Sequence, residues 1–540
     1  MTRALLIYPE FRWPSFWNFR ELCKLTDAAY PVAPLGLATV AALLPSDWDV
    51  NLVDRNVDDW DDGLLDAADV VLIGAMIPQQ ADCIELIQKA RARGKRVIVG
   101  GPDPTGSPHI YDEADHLVLG EGEVTLPLFL ADLAAGTPKK IYQDSGKADV
   151  QNSPTPRFEL LKLNRYNHVG IQFNRGCPFN CEFCDIIEMF GRVPRAKSSE
   201  QMLAELQKVY DLGYRGHVSL VDDNFIGNKK LVKQFLPVLK KWSEERNFPF
   251  EYTTEASINL ADDAELMKAM QEVGFFSIFV GIESPDETTL IAMKKRQNTH
   301  RSIADSIRKI YAHGIFVIAG FIVGFDTEKD SVARGMIDCI EAANIPVNMA
   351  GLLFALPTTQ LMRRLAAEGR LHEDFDIAPD GVGDHCTGGL NYDTLRPRGD
   401  ILKDYLKVIE TIYTPESYFN RVLRVGLELD SSKRPFKPGL RQSLMEMKAF
   451  WRMGRRLGFD PSTRSHFWRI LGQLALKNPK SLRYAGLMMG LYLDLGPFAE
   501  YVSVNIRKAI ALEEKNPSKV AVLPTPVPRL AQPQPSSLAG

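Results

Sequence analysis

The chain has 540 residues, 45% of them hydrophobic and 24% charged, with a formal net charge of −4; this is room for about three or four domains with large cores, and no sign of a polyanionic partner. Its seven cysteines do not form a disulfide framework, which fits a reducing, cytoplasmic compartment. MTRALLIYPEF reads as a first buried strand rather than a signal peptide, and the absence of an uninterrupted apolar run of about 18 residues predicts no membrane span.

Residues 1–140 alternate strand and helix patterns. ALLIYP, VNLVDR, DVVLIGAM, KRVIVGGP and DHLVLGEGE read as short buried strands, and PLGLATVAALLP and ADCIELIQKARARGK as helices between them. This α/β period predicts a doubly wound parallel sheet, with any ligand beyond the carboxyl ends of the strands. Those ends carry Gly74-Ala75-Met76, Gly100-Gly101-Pro102 and Gly120-Glu121-Gly122. Each is either a tight turn or a place where backbone approaches a ligand. An early loop holds Phe11, Trp13, Phe16, Trp17 and Phe19; it reads as an interdomain plug or as the wall of a pocket.

A polar, proline-containing stretch, 141–165, reads as a linker. A second βα series over 166–375 has strands at NHVGIQFN, HVSLVDDN, FEYTTEAS, FSIFVGIES and FVIAGFIVGF. It predicts a parallel barrel, open or closed, with catalytic groups at the strand carboxyl ends. Residues 376–514 read as mostly helical. Six prolines lie within 517–535, so 515–540 reads as a disordered tail.

Cys177, Cys181 and Cys184 are spaced C-x3-C-x2-C on a loop after a barrel strand. Chance would place such a triplet in roughly 0.001 chains of this cysteine content. A structural zinc site needs four ligands, and no fourth Cys or His is near. Three thiolates on a 4Fe-4S cluster leave one iron open for chemistry. The other cysteines, Cys23, Cys83, Cys339 and Cys386, read as small buried hydrophobes. Asp384-His385-Cys386 stands as an acid–thiol candidate.

NRGCPFNCEFCDI resembles the cluster loop of the radical S-adenosylmethionine (SAM) superfamily, with Phe183 in the aromatic slot. The resemblance implies that the open iron chelates SAM and that one electron cleaves it to a hydrogen-abstracting 5′-deoxyadenosyl radical. It also implies SAM contacts from Phe183, from Asp222 or Asp223, and from Ser257, Glu283 and the backbone at Gly324. Strand-end packing is the other reading of the positions beyond the loop.

A doubly wound domain before such a barrel resembles the cobalamin-dependent branch. PLGLATVAALL, LVDRN, GAMIPQQ, GGPDPT and LGEGEVT are similar to its segments, and the likeness runs over roughly residues 1–430. It implies a cobalamin cofactor at Gly74, Ala75, Met76, Gly100, Gly101, Pro102, Gly120, Glu121 and Gly122. The family's D-x-H-x-x-G motif is missing: the first loop has no histidine, and His109 and His116 lack the pattern. The expectation is a cobalt without a protein histidine ligand.

Residues 433–484 hold thirteen Lys/Arg against two acidic residues. Leu440, Leu444, Met447 and Trp451 fall on one helical face among Arg441, Lys448, Arg452, Arg455 and Arg456. Three readings stand: a core-packed helix with a solvated basic face, a membrane-surface helix, or a nucleic-acid surface, the last disfavoured. The layout, with KDYLKVIETIYTPESYFNRVL opening the C-terminal extension, resembles a bacterial group that includes hopanoid methylases. It implies C-methylation of an unactivated carbon of a lipid or other small molecule, an electron donor of flavodoxin or ferredoxin type, and contact with the inner face of the membrane. A non-methylating oxidoreductase or cyclase, an RNA-modifying enzyme and a cobalamin-binding sensor are the alternatives.

Overall fold

A computed structural model describes residues 1–521 apart from 13, 17, 145, 330–331 and 374–387. The first parallel sheet contains β1 (Arg3–Tyr8), β3 (Asp49–Asp54), β4 (Val70–Gly74), β5 (Arg96–Gly100), β6 (His116–Val118) and β7 (Ile141–Tyr142), in the order β3-β1-β4-β5-β6-β7. Helices α1 (Arg20–Leu25), α2 (Leu35–Leu43), α3 (Gln80–Ala92) and α4 (Gly122–Ala134) lie between strands. Both faces of β1 are covered: Ala4 and Leu6 join one core, Leu5 and Ile7 the other. A strand buried on both sides needs an unbroken apolar run, which is why ALLIY does not alternate.

The second sheet runs β15-β14-β13-β12-β11-β8-β2, all parallel. Its strands are β8 (Tyr166–Ile171), β11 (Gly216–Leu220), β12 (Phe250–Glu255), β13 (Phe275–Glu283), β14 (Phe316–Val323) and β15 (Val347–Leu352). The edge strand β2 (Tyr30–Val32) comes from the N-terminal segment. The chain leaves the first sheet after β1, sets Tyr30 opposite Tyr166 and Val32 opposite His168, and returns as β3. An open curled sheet of this order is a partial barrel. Its helices are α5 (Ser199–Asp211), α6 (Lys229–Glu245), α7 (Ala264–Val273), α8 (Ile303–Tyr311), α9 (Val332–Ala342) and α10 (Gln360–Ala367). Several begin at a side-chain cap; Ser198 Oγ accepts from Gln201 N–H while Gln201 Oε1 accepts from Ser198 N–H.

The stretch 141–165, expected as a linker, carries β7 and three short turns. It is pinned to the first domain by Arg157 N–H on Ala38 O (2.9 Å) and Ser153 Oγ on Glu123 (2.9 Å).

The C-terminal part is helical, as expected: α11 (Arg398–Ile412), α12 (Pro415–Glu428), α13 (Leu440–Leu457), α14 (Arg464–Lys477) and the 34-residue α15 (Leu482–Lys515). The core-packed reading of α13 has its faces reversed. Leu440, Leu444, Met447 and Trp451 are 80, 53, 61 and 61% exposed, while Met453 and Leu457 are buried. Several of the cations instead make surface ion pairs with the N-terminal segment: Lys448 and Arg452 with Asp27 (2.8 and 2.7 Å), and Arg456 with Glu21 of α1. Two residues of the early aromatic loop are packed as a plug, Phe11 stacked on Tyr30 (5.6 Å) and Phe16 edge-on to Phe498 of α15 (4.7 Å), whereas Phe19 lines a cavity inside the barrel. Trp13, Trp17, Asp384-His385-Cys386 and the tail from 522 lie outside the described residues.

Candidate active site

The cysteine loop leaves β8 through a small antiparallel ribbon of β9 (Asn174–Arg175) and β10 (Arg195–Ala196). Gly176 has φ +93°, and a Cβ there would lie 2.9 Å from Gly191 O, so only glycine fits this turn. Beyond it, Cys177 N–H donates to Gly191 O (3.2 Å), and Glu182 N–H donates to Met293 O (2.9 Å). All three cysteines are free thiols; Cys181 is buried, Cys177 and Cys184 half-buried. Two amides face the sulfurs: Asn224 Nδ2 is 3.8 Å from Cys177 Sγ, and Gln297 Nε2 is 3.7 Å from Cys181 Sγ. Lys295 stands beside them with its ammonium 5.8 Å from the Phe183 ring centre. Burial pushes the Cys177 and Cys184 thiols up.

The positions expected to contact SAM divide into two sets. Asp222 is buried in backbone, accepting from Phe173 N–H (2.7 Å) and Asn174 Nδ2 (2.9 Å). Asp223, Phe183, Ser257, Glu283 and Gly324 gather around the loop. Asp223 Oδ2 accepts from Gly176 N–H at 2.7 Å. Ser257 Oγ is 3.2 Å from Asn224 Nδ2. Glu283, at φ +65°, accepts from Lys295 Nζ at 2.7 Å. The Phe183 ring is edge-on to Phe325 at 5.9 Å, next to Gly324. Gly324, at φ +123°, donates to Glu328 Oε2 (2.9 Å) and accepts from Tyr392 OH (2.8 Å). Two buried oxygens here, Gln297 Oε1 and Glu328 Oε1, have no hydrogen-bond partner. Unpartnered buried acceptors beside a polar cleft fit a polar ligand. The sequence does not single out Asn224, Lys295 and Gln297, because each stands in a short polar run, VDDN or KKRQN, with no signature of its own.

Two of the glycine-bearing strand ends of the first sheet are in register, Gly74 opposite Gly100, and the third is offset: Gly100 lies opposite Val118, two residues before Gly120. Ala75 N–H donates to Gly100 O (3.1 Å), and Met76 N–H to Gln79 Oε1 (3.1 Å). Gly101 has φ +109°, and a Cβ would meet Ala75 O at 2.8 Å; Pro102 opens the turn of helix that follows. Around Gly120 and Gly122 there is more room, with the nearest atoms at 3.8 and 3.9 Å from a would-be Cβ. The helical turn that follows Pro102 packs on the barrel: a Cβ on Gly106 would lie 3.3 Å from Pro357. His116 Nδ1–H donates to Lys139 O (2.6 Å) with its ring against Phe129, and His109 is exposed on a turn.

Glu121 links the two sheets. Its carboxylate accepts from Arg175 (2.7 Å) and Arg195 (2.9 Å), the ribbon residues beside the cysteine loop, and Glu123 accepts from Arg175 (2.9 Å). Burial by itself raises the Glu123 carboxyl, but the Arg175 guanidinium brings it down to about 2.

Three free thiols, amide donors to two of the sulfurs and an adjacent lysine suit an iron–sulfur cluster with one iron open. A glycine ledge at strand carboxyl ends, facing that loop, suits a broad second cofactor. The fold and site therefore define a two-cofactor radical enzyme. Family comparisons agree in chain order: a B12 binding domain matches 23–130, the radical SAM superfamily 171–340, and a domain of unknown function (DUF4070) 359–508. An uncharacterized methyltransferase of Synechocystis is 43% identical over 479 residues, 88% of each chain. The hopanoid C-2 methylase of Rhodopseudomonas palustris is 32% identical over 482 residues, 87% of this chain and 88% of that one. In fold, the cobalamin-dependent SAM radical enzyme OxsB superposes with a TM-score of 0.58 at 15% identity, covering 95% of this chain and 81% of that one. The methyltransferase TsrM of Kitasatospora setae gives 0.54 at 16%, covering 68% and 78%. The chain belongs to the cobalamin-dependent radical SAM methylase family. It is a radical SAM methyltransferase whose cofactors are a 4Fe-4S cluster, SAM and cobalamin.

Proposed function

We propose that this enzyme places a methyl group on an unactivated carbon of a hopanoid-class lipid. The observation that carries this reading is the likeness to a hopanoid C-2 methylase along 482 residues, which includes the C-terminal helices as well as the two cofactor domains. When bound, the cluster and SAM supply a hydrogen-abstracting radical and the corrin supplies the methyl group.

The chain's own residues have separable tasks. Cys177, Cys181 and Cys184 hold the cluster, with Asn224 and Gln297 donating to sulfur. Asp223 fixes the turn before Cys177 through Gly176. Phe183, Ser257, Glu283 and Gly324 form the SAM side of the cleft, and Asn224 ties that side to the loop. Asp222 supports the backbone and is not assigned to SAM. Gly74–Met76, Gly100–Pro102 and Gly120–Gly122 form the cobalamin ledge, and Glu121 keeps that ledge against the barrel. His116 opens β6, at the amino end of the strand and away from the ledge, and His109 is exposed on a turn, so neither would be placed to ligate a cobalt bound on the ledge. Replacing His109 and His116 singly by Ala therefore leaves the cobalamin absorption spectrum unchanged; a shifted spectrum would overturn that assignment. A reductant of flavodoxin or ferredoxin type delivers the electron. The exposed apolar row of α13, with Arg455 stacked 4.9 Å over Trp451, lies on the membrane that holds the lipid.

The test is an anaerobic reaction of reconstituted enzyme with SAM, a strong reductant and an unmethylated hopanoid. Appearance of 5′-deoxyadenosine, S-adenosylhomocysteine and a hopanoid heavier by one methylene is the expected result. Both SAM products with an unchanged hopanoid would sink the substrate assignment, and 5′-deoxyadenosine alone would favour a non-methylating reaction.

A further inference from the structure

A packed barrel fills its interior with branched apolar side chains. This one does not. The inward positions of its strands include His168, His217, Ser219, Thr253, Glu255 and Phe279, and each of these is half-buried or exposed although it lies inside the molecule. They line a cavity of about 1670 Å³, well above the roughly 300–1,000 Å³ of ordinary small-molecule sites. The cavity follows β12 from Glu251 to Glu255, a length on the order of 13 Å at ~3.3 Å per residue.

Its outer wall is not barrel at all. Phe436, Met445, Ala449 and Met453 on and before α13, with Leu487 and Leu491 of α15, close the end remote from the cysteine loop. Met445, Met447 and Phe450 line the cavity with 40, 61 and 45% of their area accessible, which places the opening along α13. The turns at 212–216 and 246–249 form the facing lip. Arg483 of α15 is the strut that holds this wall in place: it bonds Glu251 at the start of β12 (2.6 Å) and Glu446 of α13 (2.8 Å). Lys437 and Arg441 stand at the rim. At the inner end, Glu255 and Phe279 sit at the strand carboxyl ends, and Glu255 is close enough to Asp223, the support of the Cys177 turn, for that charge to help burial push its carboxyl up to about 7. The histidine pair, rings 4.6 Å apart and level with Glu251 in the strand register, is kept neutral by burial, and His217 Nε2 is bonded to Thr253 Oγ1 at 2.7 Å. A chamber with apolar walls and neutral polar groups, whose charges are the paired Arg483–Glu251–Glu446 strut, the cations of the rim and Glu255 at the inner end, suits a long molecule that is uncharged along its length.

We propose that the C-terminal helices are a lipid-admitting module: an apolar lipid of isoprenoid size enters the hollow barrel between α13 and the turns at 212–216 and 246–249, from the end opposite the cysteine loop, and lies along the strands with its reacting end at Glu255 and Phe279. This rests on the lipid reading above and gives a role to a region that family comparison leaves without one. The rim cations meet the polar end of the lipid or the anionic surface it leaves.

The experiment uses full-length reconstituted protein and two diazirine photoprobes, one a hopanoid and one palmitic acid, with labelled peptides mapped by mass spectrometry. Expected is hopanoid label on α13 between 441 and 453 and on β12, reduced at least tenfold in Ala449→Trp, which fills the opening. The unaltered chain carries the main readout, so a poorly folding variant does not spoil the test. Hopanoid label only on the cysteine-loop side would overturn this route and leave the substrate reading intact. Palmitate label in the cavity with no hopanoid label would overturn the proposal, because the occupant would then be a charged acyl chain and not an uncharged isoprenoid lipid. Label from neither probe in the cavity would overturn the proposal.

Discussion

At the scale of single residues, VDDN at 221–224 shows how three adjacent polar side chains divide their work. A strand end alternates direction, so neighbours cannot share a task. Asp222 turns into the backbone, Asp223 braces Gly176, and Asn224 faces Cys177 and Ser257. Asp222→Ala strands two buried donors, Phe173 N–H and Asn174 Nδ2, and should cost about 2–3 kcal/mol in urea unfolding. Asp223 gives a sharper contrast. Asp223→Asn keeps an acceptor for Gly176 N–H, whereas Asp223→Ala does not. Iron bound per chain after reconstitution should fall in the alanine variant and hold in the asparagine variant; equal iron in both would detach Asp223 from the loop. The cysteine triplet was legible because its spacing is rare and local. Asn224 was not, because its role depends on a sulfur 47 positions away that no local pattern points to.

At the scale of elements, the long apolar strands were readable from burial on both faces, but β2 was not. Three residues, Tyr30–Val32, carry no period, and their place is set by β8, more than a hundred positions on. The same holds for the charge pairs that join the sheets. Glu121, expected at the cobalamin edge, puts its buried carboxylate on Arg175 and Arg195. Glu121→Gln removes a charge facing two partly buried guanidiniums, of which Arg175 keeps Glu123, and should destabilise the fold by about 3 kcal/mol, read as a lower urea midpoint. The neighbouring pair sets a pH window. The Glu123 carboxyl is held at about 2 against an ordinary 4.5, so its contribution is fully present above pH 4.5 and is lost as pH falls through about 2. Stability measured from pH 6 downward should therefore show a loss between those values that is absent in Glu123→Gln. An equal acid loss in that variant would assign the effect to other groups.

At the scale of the whole molecule, the charge asymmetry of the C-terminal region and its exposed apolar row belong to one surface. Sequence period located the row Leu440, Leu444, Met447 and Trp451 but not which way it points, because a helix face reads the same whether it meets a core or a lipid. The structure turns it outward, beside the opening of the barrel. The cations nearest α1 are neutralised by Asp27 and Glu21, whereas Lys437, Arg441 and Arg455 make no ion pair among the described residues. Those three should add roughly 1 kcal/mol each on an anionic bilayer and fade with salt. The apolar row should not fade. Burying Leu444 and Trp451 supplies at least about 1.5 kcal/mol apiece, so Leu444→Gln with Trp451→Gln should lower partition onto phosphatidylglycerol vesicles on the order of a hundredfold. Both positions are exposed, so the melting temperature should stay put. Cosedimentation at low and high salt separates the two contributions: salt should weaken the unaltered protein by the electrostatic part alone, leaving a residue of binding that the double variant lacks. Undiminished binding of the double variant would remove this face from the membrane and leave the barrel opening to be served by a lipid carrier.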